Sequence, residues 1–576
     1  MTKSFKAYGK VDSLEKQALK QRNRRKMIIL LLSLVVLVAL IIGIVVGTLN
    51  HKKNKNGDDA LSSTPNSAQS IKAVCSVATY PKSCYSSLSP FGTSNSTIDP
   101  EKLFHLSLQV VHDSLEKLST LPQEWINNTD DPEVKKALGV CQTVFDEAVD
   151  AVNESILSLN VIDSNKVFSV KRIHDLKTWL STSLTDLETC LDTLEEVNAT
   201  ILEDVRTAMK NSTEFASNSL AIVSKLVEIL SDFQIPVNRK LLGETGRSSG
   251  FPHWVRAADR RLLQTSKDPQ PDLVVALDGS GDYRTINEAV ARIPINSKTR
   301  FVIYVKAGVY KEKVILDKPL WNVMMYGDGK TETIVTFDDN YVDGTRTFDT
   351  PTFAVTGKNF IAKNMGFKNT AGPEKEQAVA VRSGSDQSVF HQCSFDGFQD
   401  TLYSHTNRQF YSKCDIIGTV DFIFGNAAVV FQDCNILPRQ PLPDQFVTIT
   451  AQGKKDPNQN TGISIQSCVV IPLDNVTVPV FLGRPWKNYS TTIIMQTKIG
   501  GLLSPGGWIE WFRNVEPPST IFYAEYQNTG AGASVANRVK WAGYRPTLTP
   551  KQASNFAIGP FLDGQDWIPA SQVTFT

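Results

Sequence analysis

Three cysteines constrain this chain most: Cys393, Cys414 and Cys434 lie 21 and 20 residues apart, and each precedes by two positions a core-type residue, Phe395, Ile416 and Ile436. Met365 with Phe367, and Cys468 with Val470, fit the same frame after longer intervals. The runs between them are short, rich in Val, Ile, Phe and Thr, and broken by Gly and Asn, as in FVIYVKAGVY and AVVFQDCNI, which marks strands. A repeat near 20 residues made of short strands predicts an all-β parallel β-helix, one coil per repeat, over residues 266–576. Equivalent positions then stack about 4.8 Å apart. That brings stacked cysteines within bridging distance and predicts the pairs Cys393 with Cys414 and Cys434 with Cys468, free core thiols being the alternative.

The same period carries polar residues. Asp400 and Asp421 are 21 residues apart, so their carboxyl groups should lie side by side on adjacent coils. Two like charges that close cannot both ionise easily, and one protonated acid beside one carboxylate is an acid and nucleophile pair. Gln377 precedes Gln399 by 22 residues, again about one coil, and two amides on one face could donate to an oxyanion.

The first half has a different texture. Apolar residues recur at helical spacing, as in Val144, Ala148, Val152 and Ile156, or Leu220, Val223, Val227 and Leu230, and predict an all-α antiparallel bundle over 65–235. Of the three pairings open to its four cysteines, Cys75 with Cys84 and Cys141 with Cys190 is preferred. Residues 27–47 form 21 uncharged positions, enough to cross a membrane, between a basic tail (1–26) and a polar spacer (48–64). Lys20, Arg22, Arg24, Arg25 and Lys26 outweigh the cations behind the run, so a signal anchor with a cytosolic N-terminus is expected and the remainder is lumenal. Seven sequons agree, at Asn95, Asn127, Asn153, Asn198, Asn211, Asn475 and Asn488. The linker 236–265 carries RKLL (239–242) and RRLL (Arg260, Arg261, Leu262, Leu263), exposed basic sites of the kind processing proteases cut.

Lysine and arginine (60) balance aspartate and glutamate (59), which removes global charge as a reason for nucleic-acid binding. GRSSG (246–250) fits a serine-hydrolase pattern, but no strand precedes it and no helix follows. No carboxylate and histidine set in the second half has metal-ligand spacing, so neither metal nor cofactor is expected, which weighs against a calcium-dependent lyase.

Residues 65–235 resemble the invertase and pectin methylesterase inhibitor family, four-helix bundles preceded by a short helical hairpin. GVYKE (308–312), QAVAVR (377–382), GFQDTLY (397–403), DFIFG (421–425) and LGRPW (482–486), in that order, resemble the pectin methylesterase family. That resemblance implies a right-handed β-helix hydrolysing methyl esters of galacturonate in pectin, with methanol and pectate as products. By the same resemblance Asp421 is the nucleophile and Asp400 the proton donor and later the base. Gln399 and Gln377 stabilise the oxyanion, Arg484 holds Asp421, Trp486 offers a face to a sugar ring, and Thr347 is a further substrate contact in a segment that departs from the family's usual sequence. The whole reads as a cell-wall enzyme precursor whose partners are methylesterified pectin, a processing protease and its own inhibitor-like bundle. A non-enzymatic wall-binding β-helix is the rival reading.

Overall fold

The computed structural model describes residues 67–92, 99–160, 170–232 and 270–562. The tail, membrane run and spacer (1–64), Asn95, and both basic linker sites lie outside the described residues. Among the described residues no helix is long and apolar enough to cross a membrane.

The helical part opens with a hairpin, α1 (Ser67–Cys75) and α2 (Pro81–Leu88), closed by the Cys75–Cys84 disulfide. Next come α3 (Pro100–Ser119), the short α4 (Leu121–Asn127), and three long helices, α5 (Pro132–Asn160), α6 (Val170–Glu196) and α7 (Leu202–Asp232). Asp99 starts α3 by accepting from the Glu101 N–H at 2.9 Å, with Pro100 in the first turn, where its missing donor is harmless. The helically spaced residues meet in one core: Leu108, Val111, Val144, Ala148, Leu187, Leu194, Leu220 and Val223 are all buried. Cys141 of α5 is bonded to Cys190 of α6, as the sequence preferred.

One stripe of α6 breaks the apolar rule, since Thr178, Ser181, Thr182, Thr185, Thr189 and Thr193 are buried without facing the bundle core alone. Thr178, Thr185, Thr189 and Thr193 donate to carbonyls one turn back, at 2.8–3.0 Å, which satisfies their hydroxyls inside a helix they disfavour intrinsically. That stripe packs against the second half of the chain.

From Leu273 the chain winds as a parallel β-helix of three sheets, with 11, 8 and 7 strands, in which each strand pairs with its equivalent one coil later. The predicted frame is the observed register: Phe367, Phe395, Ile416, Ile436 and Val470 are successive partners. Coils turn at a ladder of left-handed residues, Asn364, Gln392, Lys413, Asp433, Ser467 and Gln496, all with φ of 51–55°. Inside, Phe390, Tyr411 and Phe431 stack with ring centroids 4.8 and 4.7 Å apart. This core draws only on residues of the coils.

The predicted bridges between coils do not form: Cys393, Cys414, Cys434 and Cys468 are buried free thiols. The stack exists, but its side chains run parallel instead of facing each other. Each sulfur lies 3.1–3.5 Å from the carbonyl two residues before it. The Cys414 and Cys434 N–H groups donate to the sulfur one coil on, at 3.4 and 3.3 Å. The four cysteines are therefore stacked without being joined.

Candidate active site

Asp400 and Asp421 precede strands Leu402–Ser404 and Ile423–Gly425, whose register pairs Leu402 with Ile423, so the two acids occupy equivalent positions on adjacent coils. Both adopt the left-handed conformation, φ 63° and 51°, which turns the chain and presents both carboxyl groups on one face. Gln377 and Gln399 form a parallel bridge directly beside them. The four residues that the period singled out therefore meet.

Arg484, on strand Val480–Pro485, grips Asp421 from two sides: Nε donates to both carboxylate oxygens at 2.9 and 3.0 Å, and Nη2 to Oδ2 at 2.6 Å. Thr448 donates to Asp421 Oδ1 at 2.6 Å and its oxygen accepts the Asp421 N–H at 2.8 Å. Such charge-assisted contacts fix the orientation of the Asp421 carboxylate. Asp400 has no cation of its own. Burial first, and then the neighbouring Asp421, hold its carboxyl well above the usual range, with Arg484 opposing. The two acids thus differ in setting: Asp421 is gripped by Arg484 and Thr448, while the Asp400 carboxyl is pushed upward.

The remaining expected residues converge on the same cavity of about 300 Å³, which Thr347, Gln377, Gln399, Asp400, Asp421, Arg484 and Trp486 line together. Trp486 lies near-parallel to Trp511, centroids 6.2 Å apart, and the Arg484 guanidinium sits 4.3 Å from the Trp511 ring centre. Gly453 makes room for Trp486, since a Cβ there would stand 3.0 Å from its ring. Gly425 closes DFIFG for a similar reason: its φ is 122° and a Cβ would lie 2.1 Å from the Ser404 carbonyl oxygen.

The cavity's other wall is α6, through Thr189, Asp192, Thr193, Glu195 and Glu196. The Thr347 N–H points to Glu196 at 3.4 Å, Thr189 meets His405 at 2.9 Å, and Lys487 pairs with both Glu188, at 2.9 Å, and Asp192. Arg346 with Glu133 and Arg408 with Asp175 add ion pairs farther out. Phe348, Val379, Tyr403, Phe424 and Ala451 of the coils share the bundle's own apolar core. The helical part thus closes the cleft over the two aspartates.

Thr448, Trp511 and the acidic edge of α6 went unnoticed in the sequence. Thr448 follows Asp421 by 27 residues, one enlarged coil, and Glu188, Asp192 and Glu196 recur at four-residue spacing, so period was the available signal for each. Trp511 lies outside the strands and offered none. Among the described residues two sets could hold a cation: His112, Asp113 and Glu116 on α3, and Glu147, Asp186 and His405 where the two halves meet. In the second, burial first and then Glu147 push the Asp186 carboxyl well above its usual range, with Lys318 and Arg382 opposing. Asn127, Asn153, Asn198, Asn211, Asn475 and Asn488 are all exposed.

Residues 272–565 match the family described as Pectinesterase, and residues 69–222 that described as Plant invertase/pectin methylesterase inhibitor. The chain is 53% identical to Pectinesterase 3 of Phaseolus vulgaris over 584 positions, covering 100% of this chain and 99% of that one. It is 51% identical to Pectinesterase 1 of Arabidopsis thaliana, covering 99% and 98%. Among solved structures it is similar to a pectin methylesterase from carrot, with 48% identity and a TM-score of 0.52, over 54% of this chain and 99% of that one.

Proposed function

This chain belongs to the pectinesterase family, and from that premise we propose how its stacked aspartates de-esterify pectin. The chain is a carboxylic ester hydrolase, and its inhibitor-like bundle is the pro-region of that enzyme. Asp421 attacks the carbonyl carbon of a methyl galacturonate ester, and the resulting oxyanion accepts hydrogen bonds from the Gln377 and Gln399 amides. As the tetrahedral intermediate collapses, Asp400 gives its proton to the departing methoxy oxygen, and methanol leaves. The acyl-enzyme anhydride is then hydrolysed by a water that Asp400, now a carboxylate, deprotonates. Arg484 and Thr448 hold and aim Asp421 throughout. Trp486 and Trp511 offer apolar faces to the sugar rings, and Thr347 is a further contact.

The observation that carries this reading is the contrast within the pair: Asp421 is held by Arg484 and Thr448, while burial and Asp421 itself keep Asp400 protonated. The test is product analysis on methylated pectin with the linker cut. Methanol without an unsaturated sugar is expected. An unsaturated product would point to a lyase, and neither product to a wall-binding coil.

The bundle restrains its own enzyme until the linker is cut, because α6 closes the cleft from one side and a tether of about 30 residues keeps it at roughly millimolar effective concentration. Specific activity should rise on cleavage and fall again when the separated bundle is added back. Equal activity in both forms would leave the bundle a folding or transport role. Cutting is placed at RRLL (260–263) or RKLL (239–242), a signal anchor at 27–47, glycans on the exposed sequons, and the mature enzyme in the cell wall. N-terminal sequencing of wall-extracted protein, expected to begin near Gln264, checks the processing.

A further inference from the structure

Where α5 and α6 rest on the coils, outside the catalytic cavity, side chains from three different elements converge. Glu147 of α5, Asp186 of α6 and His405, which follows strand Leu402–Ser404, each bring one ligand-type atom within 4.8 Å of the others. The His405 Nε2 lies 3.8 Å from Asp186 Oδ1. Asp186 and His405 are fully buried, and Glu147 is half-buried. None of them lines the cavity over the catalytic aspartates. Glu147 and Asp186 belong to the bundle and His405 to the coils, so spacing within either half could not bring the set together.

A buried carboxylate ordinarily collects donors, as Asp421 does. Among the described residues neither oxygen of Asp186 has a hydrogen-bond partner, and His405 Nδ1 has none. The cations nearby do not supply one. Lys318 pairs with Asp150 at 2.9 Å, and Arg382 lies over the Phe348 ring, 3.6 Å from its centre, with its own Nε and Nη1 unpartnered among the described residues. Thr189, 2.9 Å from His405 Nε2, donates to the Thr185 carbonyl and so presents only a further oxygen. The set is thus a group of acceptors gathered without a donor, which a cation completes once the imidazole proton moves to Nδ1. One nitrogen with carboxylate oxygens suits a zinc-like divalent ion better than calcium, which takes about six to eight oxygens. Glu147 also lines a cavity of about 290 Å³ at the seam of bundle and coils, which gives an ion a way in and waters for its remaining positions.

We propose that Glu147, Asp186 and His405 form a binding site for a zinc-like divalent cation that exists only while bundle and coils are docked. Because the ligands are divided between the two halves, an ion bound there favours the docked chain over the separated one by mass action. It ties the bundle to the coils at a point outside the cleft, independently of any substrate. Arg382 and Lys318 lie close enough to oppose a further positive charge. The ion should therefore be held at roughly micromolar strength, more weakly than in a closed structural zinc site.

The test uses the uncut chain, stripped with a chelator and titrated with Zn2+ alone by calorimetry. About one ion per chain at roughly micromolar Kd is expected, with a rise in the unfolding midpoint. Glu147→Gln, at the half-buried edge of the set, should weaken binding at least about tenfold and remove the rise. Asp186→Asn and His405→Gln should do the same where circular dichroism shows them folded. His112→Gln, in the other candidate set on α3, should change nothing, and Ca2+ in about tenfold excess should not displace the zinc. The separated coils, whose core draws on no bundle residue, should not bind at this strength. The site is overturned if the uncut wild type binds no zinc, if Glu147→Gln binds it equally well, or if His112→Gln abolishes binding. Equal affinity in the separated coils, an unmoved midpoint, or displacement by Ca2+ would overturn it as well.

Discussion

The bundle and the coils hold four cysteines each, and only the bundle's are joined. In the bundle, Cys141 lies early in α5 and Cys190 late in α6, on antiparallel helices whose side chains point at each other. In the coils, equivalent residues stack closely but point the same way, into a shared core. The difference is one of need as well as of direction. Successive coils are held by parallel ladders along three sheets, whereas helices are joined only by side-chain packing, so a covalent tie has more to add in the bundle. The coils are accordingly the rigid carrier of the chemistry, and the bundle is a stapled cover.

The comparison assigns chemistry to the coils alone, and the largest expected effect tests that assignment. Asp421→Asn in the cut enzyme should lower kcat at least about a thousandfold and Asp400→Asn at least about a hundredfold, with unchanged circular dichroism, since each removes a reacting group without removing packing. Near-normal methanol release from either folded variant would remove that residue from the mechanism. Next in size is the staple. Replacing Cys141 and Cys190 by Ser opens a 49-residue loop, worth about 4 kcal/mol by chain entropy. The helical signal should melt earlier while the β signal does not, and the uncut chain should gain esterase activity as α6 loosens. Coincident loss of both signals would mean that the two halves stand or fall together.

How far the site was legible follows from the same contrast. A stacked coil converts sequence spacing directly into spatial neighbourhood, so Asp400, Asp421, Gln377 and Gln399 could be brought together by counting. Counting gives position and not direction, which is why the free thiols were misread as bridges. Roles for Arg484, Trp486 and Thr347 needed the resemblance, because Arg484 lies 63 residues from Asp421 after coils of unequal length. The cover over the cleft was visible in outline only. Which helix of the bundle meets the coils depends on the hydroxyl stripe of α6, which reads in sequence as a poor helix and not as an interface.

Docking of cover on carrier should also depend on pH. Burial pushes Asp192 up to about 7, with Lys487 pulling it down and Glu188 and Glu195 pushing further up. Burial likewise pushes Glu196 up to about 7, with Thr347 and Arg346 opposing and Asp349 assisting. In the separated bundle both return to roughly 4, so docking takes up protons. Their contribution is then full below about pH 4, declines as pH rises through about 7, and is flat beyond. Affinity of the cut bundle for the coils should fall at least about tenfold between pH 5 and 8, measured by titration calorimetry. Asp192→Asn with Glu196→Gln should flatten that profile. Affinity that rises with pH would mean that the Lys487 ion pairs outweigh the burial of the acids.

The smallest effect is expected where the coils carry their unbonded sulfurs. Cys434→Ala removes one buried atom that lies 3.3 Å from the Gln432 carbonyl and accepts from the Cys414 N–H at 3.4 Å. The ladder around it stays intact, because Ile416, Ile436 and Val470 still pair in register. A buried thiol behaves as a small apolar group with weak hydrogen bonds, so the loss should be about 1 kcal/mol, seen as a shift in the β-signal midpoint alone. Reducing agent should leave that midpoint where it is in the wild type while lowering the helical one. A β midpoint that dropped on reduction would show that the coil sulfurs are bonded after all, and would erase the contrast between the two halves.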